Sequence, residues 1–263
     1  MRKIAHGFIG LTLLSTTILS AAEMYTATET FVGWPRERET RSRILVDEGR
    51  YRYEIEEVTG AVGAQHFDAL LGSLDSDTPV ALNREIGTFF WMPADPKPVS
   101  SLLSPLTRSY RLRDVEVESS TRAADDLDGR PTHEIEVRAS FTVDSRFPTE
   151  IVRAEIEMLA VYRFVAGIDV LIPPPLQPSL RTGHEQIDEQ LLPLLADQAG
   201  FPAHQRLEVR RDVVQGNSET TVLTRVLTLP EPTEAPADAF SVPKGFAEQM
   251  PEIGVPGMQG PQT

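Results

Sequence analysis

The sequence predicts a mainly β, α+β fold: a strongly curved antiparallel half-barrel sheet plugged by one or two short helices. Three observations carry that expectation. The dominant hydropathy period is two. Arg50–Glu56, His133–Val143 and Val152–Phe164 each put apolar side chains on one phase and charged ones on the other. Strict alternation marks an antiparallel sheet with one face buried and one wet. Turn chemistry recurs between these runs, at Asp47–Gly49, Asn83–Gly87, Asp126–Pro131 and Gln215–Ser218, where Gly, Asn and Asp tolerate the backbone of tight hairpins. One segment alone, His184–Gly200, shows clear helical spacing, through Ile187, Leu191, Leu194 and Leu195.

The elements follow in order. Residues 1–22 have Arg2 and Lys3, an apolar run from Phe8 to Leu19, and Ser20-Ala21-Ala22, the three parts of a secretory signal peptide. The run falls short of the roughly 20 residues of a membrane span. The chain is therefore expected to be periplasmic or secreted after cleavage near Ala22, and not membrane-spanning. Residues 23–248 form the expected single domain. Besides the three alternating runs, its strand candidates are Met24–Val32, Arg41–Asp47, Pro79–Asn83, Gly87–Met92, Ser109–Glu118, Gln205–Asp212 and Thr220–Leu229. The apolar phase shifts between Leu112 and Val115, as a β-bulge requires. In the helical segment Pro193 predicts a kink or a split, and Ser101–Leu106 is a second, weaker helix candidate. Leu171–Pro178 holds too many prolines for a paired strand and reads as a rigid connector. From Gln249 to Thr263 the chain reads as a disordered tail.

Composition narrows function. The net charge is −14 and there is no cysteine. The acidity argues against a nucleic-acid partner, and the absence of thiols removes disulfides, cysteine nucleophiles and thiolate metal sites. No nucleophile elbow, phosphate-binding loop or dinucleotide fingerprint occurs. His66, His133, His184 and His204 are dispersed, and only His184 and Asp188 have a ligand-like spacing, which also fits a solvated helix start. The pairs Glu54/Glu56, Glu134/Glu136 and Glu155/Glu157 have the i, i+2 spacing of an acidic sheet's wet face, not of a catalytic dyad. No catalytic residue, metal or cofactor is expected.

The aromatics point elsewhere. Gly87–Pro93, with Phe89, Phe90, Trp91 and Met92, is apolar on both phases, so it needs cover on both sides; the helix at Gln186–Leu195 is the expected cover, able to act as a lid over a cavity. The candidate ligand-binding residues of that cavity are Tyr51, Tyr53, Phe89, Trp91, Phe141, Met158 and Leu191.

Several short motifs also resemble one family. "DAFSVPKGF" (Asp238–Phe246), "ILVDEGRYRYEIEE" (Ile44–Glu57) and "VALNREIGTFFWMPADPK" (Val80–Lys97) resemble segments of exported proteins with the lipoprotein-carrier (LolA-like) fold. "DLDGRPTHEIEV" (Asp126–Val137) and "GFPAHQRLEV" (Gly200–Val209) are similar to a subgroup of exported proteins related to those carriers. The resemblance spans most of Tyr25–Phe246. It implies a curved half-barrel with an apolar concave face, plugged by helices, whose relatives carry or sense lipids and lipoprotein acyl chains. The chain departs from that pattern in its acidity, in Thr59–Leu71 and in the Leu171–Pro178 connector. A last strand stopping at Pro243 would limit pairing at the open edge, since proline has no amide donor. The expected function is a non-enzymatic carrier of a hydrophobic ligand or lipidated protein. The alternative is a cell-envelope interaction or regulatory module with a self-filled cavity and an envelope-protein partner.

Overall fold

The computed structural model describes residues 21–33, 36–60, 67–74, 76–92, 109–178, 180, 185–196 and 198–249. Most of the expected signal peptide, the weaker helix candidate at 101–106, His66, His184 and the expected tail beyond Gln249 lie outside the described residues.

Two meanders make one curved, unclosed sheet of thirteen strands. The first runs through β1 (Ala22–Gly33), β2 (Arg36–Asp47), β3 (Arg50–Gly60), β4 (Ala69–Ser73), β5 (Ser76–Asn83) and β6 (Thr88–Trp91). The second runs through β7 (Tyr110–Leu127), β8 (Arg130–Arg146), β9 (Ile151–Val165), β10 (Phe201–Val213) and β11 (Ser218–Leu227). They join where β1 pairs with β11 in the middle of the sheet. A short β12 (Glu231–Thr233) continues along β1, pairing with Ala22–Met24. Every pairing is antiparallel except the last: the two-residue β13 (Ala247–Glu248) lies parallel to β6 at one edge. β7 forms the other edge.

Local chemistry explains the hairpins. Glu48 and Gly49 (φ 47° and 76°) join β2 to β3, and Asp128 and Gly129 (φ 50° and 73°) join β7 to β8. Positive φ at both central positions gives the turn whose twist matches paired strands, and an acidic residue followed by Gly adopts it at low cost. The expected bulge falls in β7, where the register slips between Arg113 and Glu116 and Asp114 takes φ 53°.

Several expectations need correction. β7 continues nine residues past Glu118, to Leu127; its far half pairs with β8 but is largely exposed, so it lacks the alternation that would mark it. β4 is a strand that the sequence reading lacks: it overlaps the end of the departing segment Thr59–Leu71, and Ala69, Leu70 and Leu71 are buried on both faces and show no polar phase. The helix α1 (Glu185–Ala196) is one helix with Pro193 inside it. The carbonyl that Pro193 leaves unbonded belongs to Glu189, and both residues are exposed to water. Glu54 and Glu134, expected on the wet face, are buried. Arginines on neighbouring strands lie over them: Arg43, Arg52 and Arg84 over Glu54, Arg122 and Arg163 over Glu134.

The apolar faces divide into three clusters. Ile135, Phe141, Met158, Leu207 and their neighbours form the first, on the inner face of β8–β10, joined there by Leu180, Ile187 and Leu191. Tyr25, Ile44, Tyr53, Leu70 and Phe201 form the second, on the inner face around β1–β4, with Leu176. Phe201 meets the edge of Tyr25 at 5.4 Å between ring centres. The third lies on the opposite face of β4–β6, where Ala69, Leu71, Val80 and Leu82 pack against Phe89, Val242 and Phe246.

That third cluster accounts for the Asp238–Phe246 motif. It forms turns rather than the expected strand, and the strand follows Gly245. The segment is held by Arg52, which donates to the Ala239 carbonyl at 2.9 Å, and by the Arg50 guanidinium 4.7 Å from the centre of the Phe240 ring. The amides of Ala247 and Gln249 then bond the carbonyls of Gly87 and Phe89 at 3.0 and 2.8 Å. Gly87–Met92 is therefore covered on one side by the C-terminal segment and on the other by the second cluster, not by α1.

Glu54 ties this corner together. Burial works to raise its pKa, but hydrogen bonds from Arg43 and Arg52 and the charge of Arg84 override that and hold it below the ordinary carboxylate value. A carboxyl with a lowered folded-state pKa contributes stability that is present above its unfolded value, about 4.3, and is lost as pH falls further. Urea midpoints measured between pH 7 and pH 3 should therefore fall below about pH 4, and Glu54→Gln should lower the pH 7 midpoint while flattening part of that acid limb.

Candidate functional site

Both ends of the inner wall are apolar; its middle is not. Strand register aligns Thr40 of β2, Glu29 of β1, Arg225 of β11, Gln205 of β10 and Tyr162 of β9 in one row across five adjacent strands. All five lie on the inner phase, because the flanking inner residues Ala27, Leu207 and Leu227 are buried. Arg225 is the centre. Its Nε and Nη2 donate to Oε2 of Glu29 at 3.2 and 2.6 Å, and its Nη1 donates to Gln205 Oε1 at 3.3 Å. Gln205 Nε2 in turn donates to the Tyr162 hydroxyl at 3.3 Å. Arg225 is 8% exposed, so its charge depends on these partners rather than on water.

Next to the row stand Arg38, whose guanidinium lies 3.5 Å from Glu29 Oε1, and Tyr53, whose hydroxyl accepts from Ser42 Oγ at 2.8 Å. Burial raises the pKa of Tyr162 far above the ordinary phenol value, against a weaker downward pull from Arg225. Burial raises Tyr53 as well, partly offset by the Ser42 bond. Both phenols stay protonated and act as hydrogen-bonding groups. The Thr40 hydroxyl is buried and has no hydrogen-bond partner among the described residues. Such orphaned groups are uncommon in folded proteins.

The sequence-predicted cavity residues do not share one wall. Phe141, Met158 and Leu191 meet in the first cluster, and Tyr51 and Tyr53 lie in the second. Tyr51, pushed up to about 12 by burial, covers Gly72 so closely that a Cβ there would meet its ring at 2.4 Å. Phe89 is on the opposite face, beneath the C-terminal segment, and Trp91, 51% exposed, is on edge strand β6. His133 stacks on Phe164 at 5.4 Å. No group of three or more His, Asp or Glu among the described residues is arranged to hold a metal ion.

The row itself is missing from the predicted site, though its signal is in the sequence. Ala27-x-Glu29-x-Phe31, Ala203-x-Gln205-x-Leu207 and Leu223-x-Arg225-x-Leu227 each place one polar residue inside an apolar phase. Three such interruptions on strands that prove adjacent mark a buried polar network. Two open concavities lie away from the row. One, about 500 Å3, crosses the outer face of β7–β10 among Glu116, Glu118, Arg138 and Glu208. The other, about 520 Å3, lies by the β2–β3 turn, between Val46, Leu74 and Leu171. No protein-family model, curated protein or solved structure matches the chain.

Removing one member of the central pair should cost more than removing both. Arg225→Met leaves the Glu29 carboxylate in the wall without its main partner and should cost about 2–3 kcal/mol in urea denaturation. The Arg225→Met/Glu29→Leu double variant should recover most of that loss. A double-mutant cycle with no coupling would show that the two groups act independently.

Proposed function

We propose that the chain is a non-enzymatic binding or carrier protein for a hydrophobic ligand, a lipid or a lipoprotein acyl chain, taken up against the inner wall of a half-barrel. In this reading it belongs to the lipoprotein-carrier class and works in the periplasm, or outside the cell, after cleavage near Ala22. One observation supports it above others: Leu176, Leu180, Ile187 and Leu191, from the described residues between β9 and β10, join the two inner clusters. The Tyr25 hydroxyl fastens the connector by donating to the Leu171 carbonyl at 2.9 Å.

The helix α1 and the proline-rich connector make a removable cover. The contacts of Leu176, Leu180, Ile187 and Leu191 with the inner clusters are apolar and non-directional, so an acyl chain can replace them. At about 0.8 kcal/mol per buried methylene, a chain of roughly 16 carbons brings about 13 kcal/mol before the costs of association and of displacing the helix. The acidity of the chain and the absence, among the described residues, of a helix long and apolar enough to cross a membrane fit a carrier that reaches its cargo without spanning the bilayer. No cofactor is invoked. A second reading, an envelope interaction module of the same fold, draws on β7, whose 18 residues form a sheet edge that pairs with no further strand among the described residues and to which a partner strand could add.

Protein purified under native conditions should release lipid into an organic extract detected by mass spectrometry, and cis-parinaric acid should fluoresce on binding. Leu223→Asp, which puts a charge on the inner wall, should weaken that binding about tenfold or more. A blank extract with no fluorescence change would remove the carrier reading, and pull-down of an envelope protein dependent on β7 would leave the second.

A further inference from the structure

We infer that the ligand is an amphiphile with a single negative charge, and that its head is received by Arg38 while its tail lies across the strands toward β8. The inference rests on the carrier reading and adds the class of ligand to it. Register carries it. Arg38 of β2 stands opposite Phe31 of β1, Phe31 opposite Leu223 of β11, Leu223 opposite Leu207 of β10, Leu207 opposite Ala160 of β9 and Ala160 opposite Val137 of β8. One cation thus heads an apolar track on five consecutive strands. At about 4.8 Å between strands the track spans roughly 19 Å from Phe31 to Val137, the length scale of a long acyl chain. It runs beside the polar row, two residues along each strand from it, on the same face.

Charge sets the head group. Arg38 and Arg225 bring two positive charges to this part of the wall and Glu29 brings one negative, leaving an excess of one. Arg225 already spends three donors on Glu29 and Gln205. Arg38 is the accessible cation: its side chain is 34% exposed, and its contact with Glu29 is 3.5 Å, longer than a charge-assisted hydrogen bond. A monoanionic head neutralises the excess. A second negative charge would face Glu29, and a neutral head would leave the excess in place. The Thr40 hydroxyl, opposite Glu29 and without a partner among the described residues, offers a further polar contact beside the head. A planar guanidinium fork suits either a carboxylate or a phosphodiester.

The test is competition against bound cis-parinaric acid by four ligands with the same 16-carbon chain: palmitate, hexadecanol, monoanionic lysophosphatidylglycerol and zwitterionic lysophosphatidylcholine. With the wild-type protein the anionic ligands should compete about tenfold better than their neutral counterparts. Whether palmitate or lysophosphatidylglycerol does so identifies a carboxylate or a phosphodiester head. Arg38→Gln should abolish the preference without weakening hexadecanol binding, and Arg38→Lys should restore part of it. Arg41→Gln, on the outer phase of the same strand, should change nothing. Equal competition by charged and neutral ligands, or a preference that survives Arg38→Gln, overturns the inference and leaves the carrier reading standing. Failure of parinaric acid and all four ligands to bind removes both.

Discussion

The ladder between β1 and β11 makes one sheet out of two. Each meander is locally connected, strand to neighbouring strand, and nothing in either specifies how the other should sit beside it. The Arg225–Glu29 pair, joining residues 196 apart in sequence, lies within that ladder. Desolvating two charges is costly, so the pair is weak evidence for stability by itself. Its stronger effect is on register. A slip of β1 by one residue would turn Glu29 outward and bring its outer residues in, and a slip by two would set Ala27 or Phe31 against a buried guanidinium. Placing one ion pair in the seam excludes both alternatives, which an unbroken apolar seam would tolerate.

The outer face handles charge differently. There the arginines are long enough to lie over carboxylates of adjacent strands, as Arg43, Arg52 and Arg84 do over Glu54 and as Arg122 and Arg163 do over Glu134. The carboxylate ends up buried while the guanidinium keeps its contact with water. An acidic chain can therefore put glutamates under its own surface, with no apolar layer above them. Inner and outer faces use the same two residue types, one to set pairing and the other to cover the sheet.

How much of this is legible in the sequence depends on how many faces of a strand are wet. β3, β8 and β9 alternate because one face is solvated, and their runs are read correctly. β4 is covered on both sides, and the exposed half of β7 on neither, so each lacks the period-two signal. The helix is legible from Ile187 and Leu191, which are fully buried. The predicted cavity rests mainly on aromatics, which are large and conspicuous, yet Phe89 and Trp91 belong to the opposite face. The polar row is written in three separate strands as single interruptions of an apolar phase. Their adjacency is a property of the β1–β11 junction, a contact between distant parts of the chain that local spacing does not encode.

That junction also orders events in time. β1 lies near the amino end, yet its partner β11 is not complete until residue 227 has been added, and the parallel strand β13 at one edge of the sheet begins twenty residues later. A growing chain can form hairpins but has no complete interior until translation has nearly ended. Closing such a long loop is slow and comes late. For most of its synthesis the polypeptide is thus an unfinished fold whose inner apolar residues still lack the cover that the completed sheet gives them.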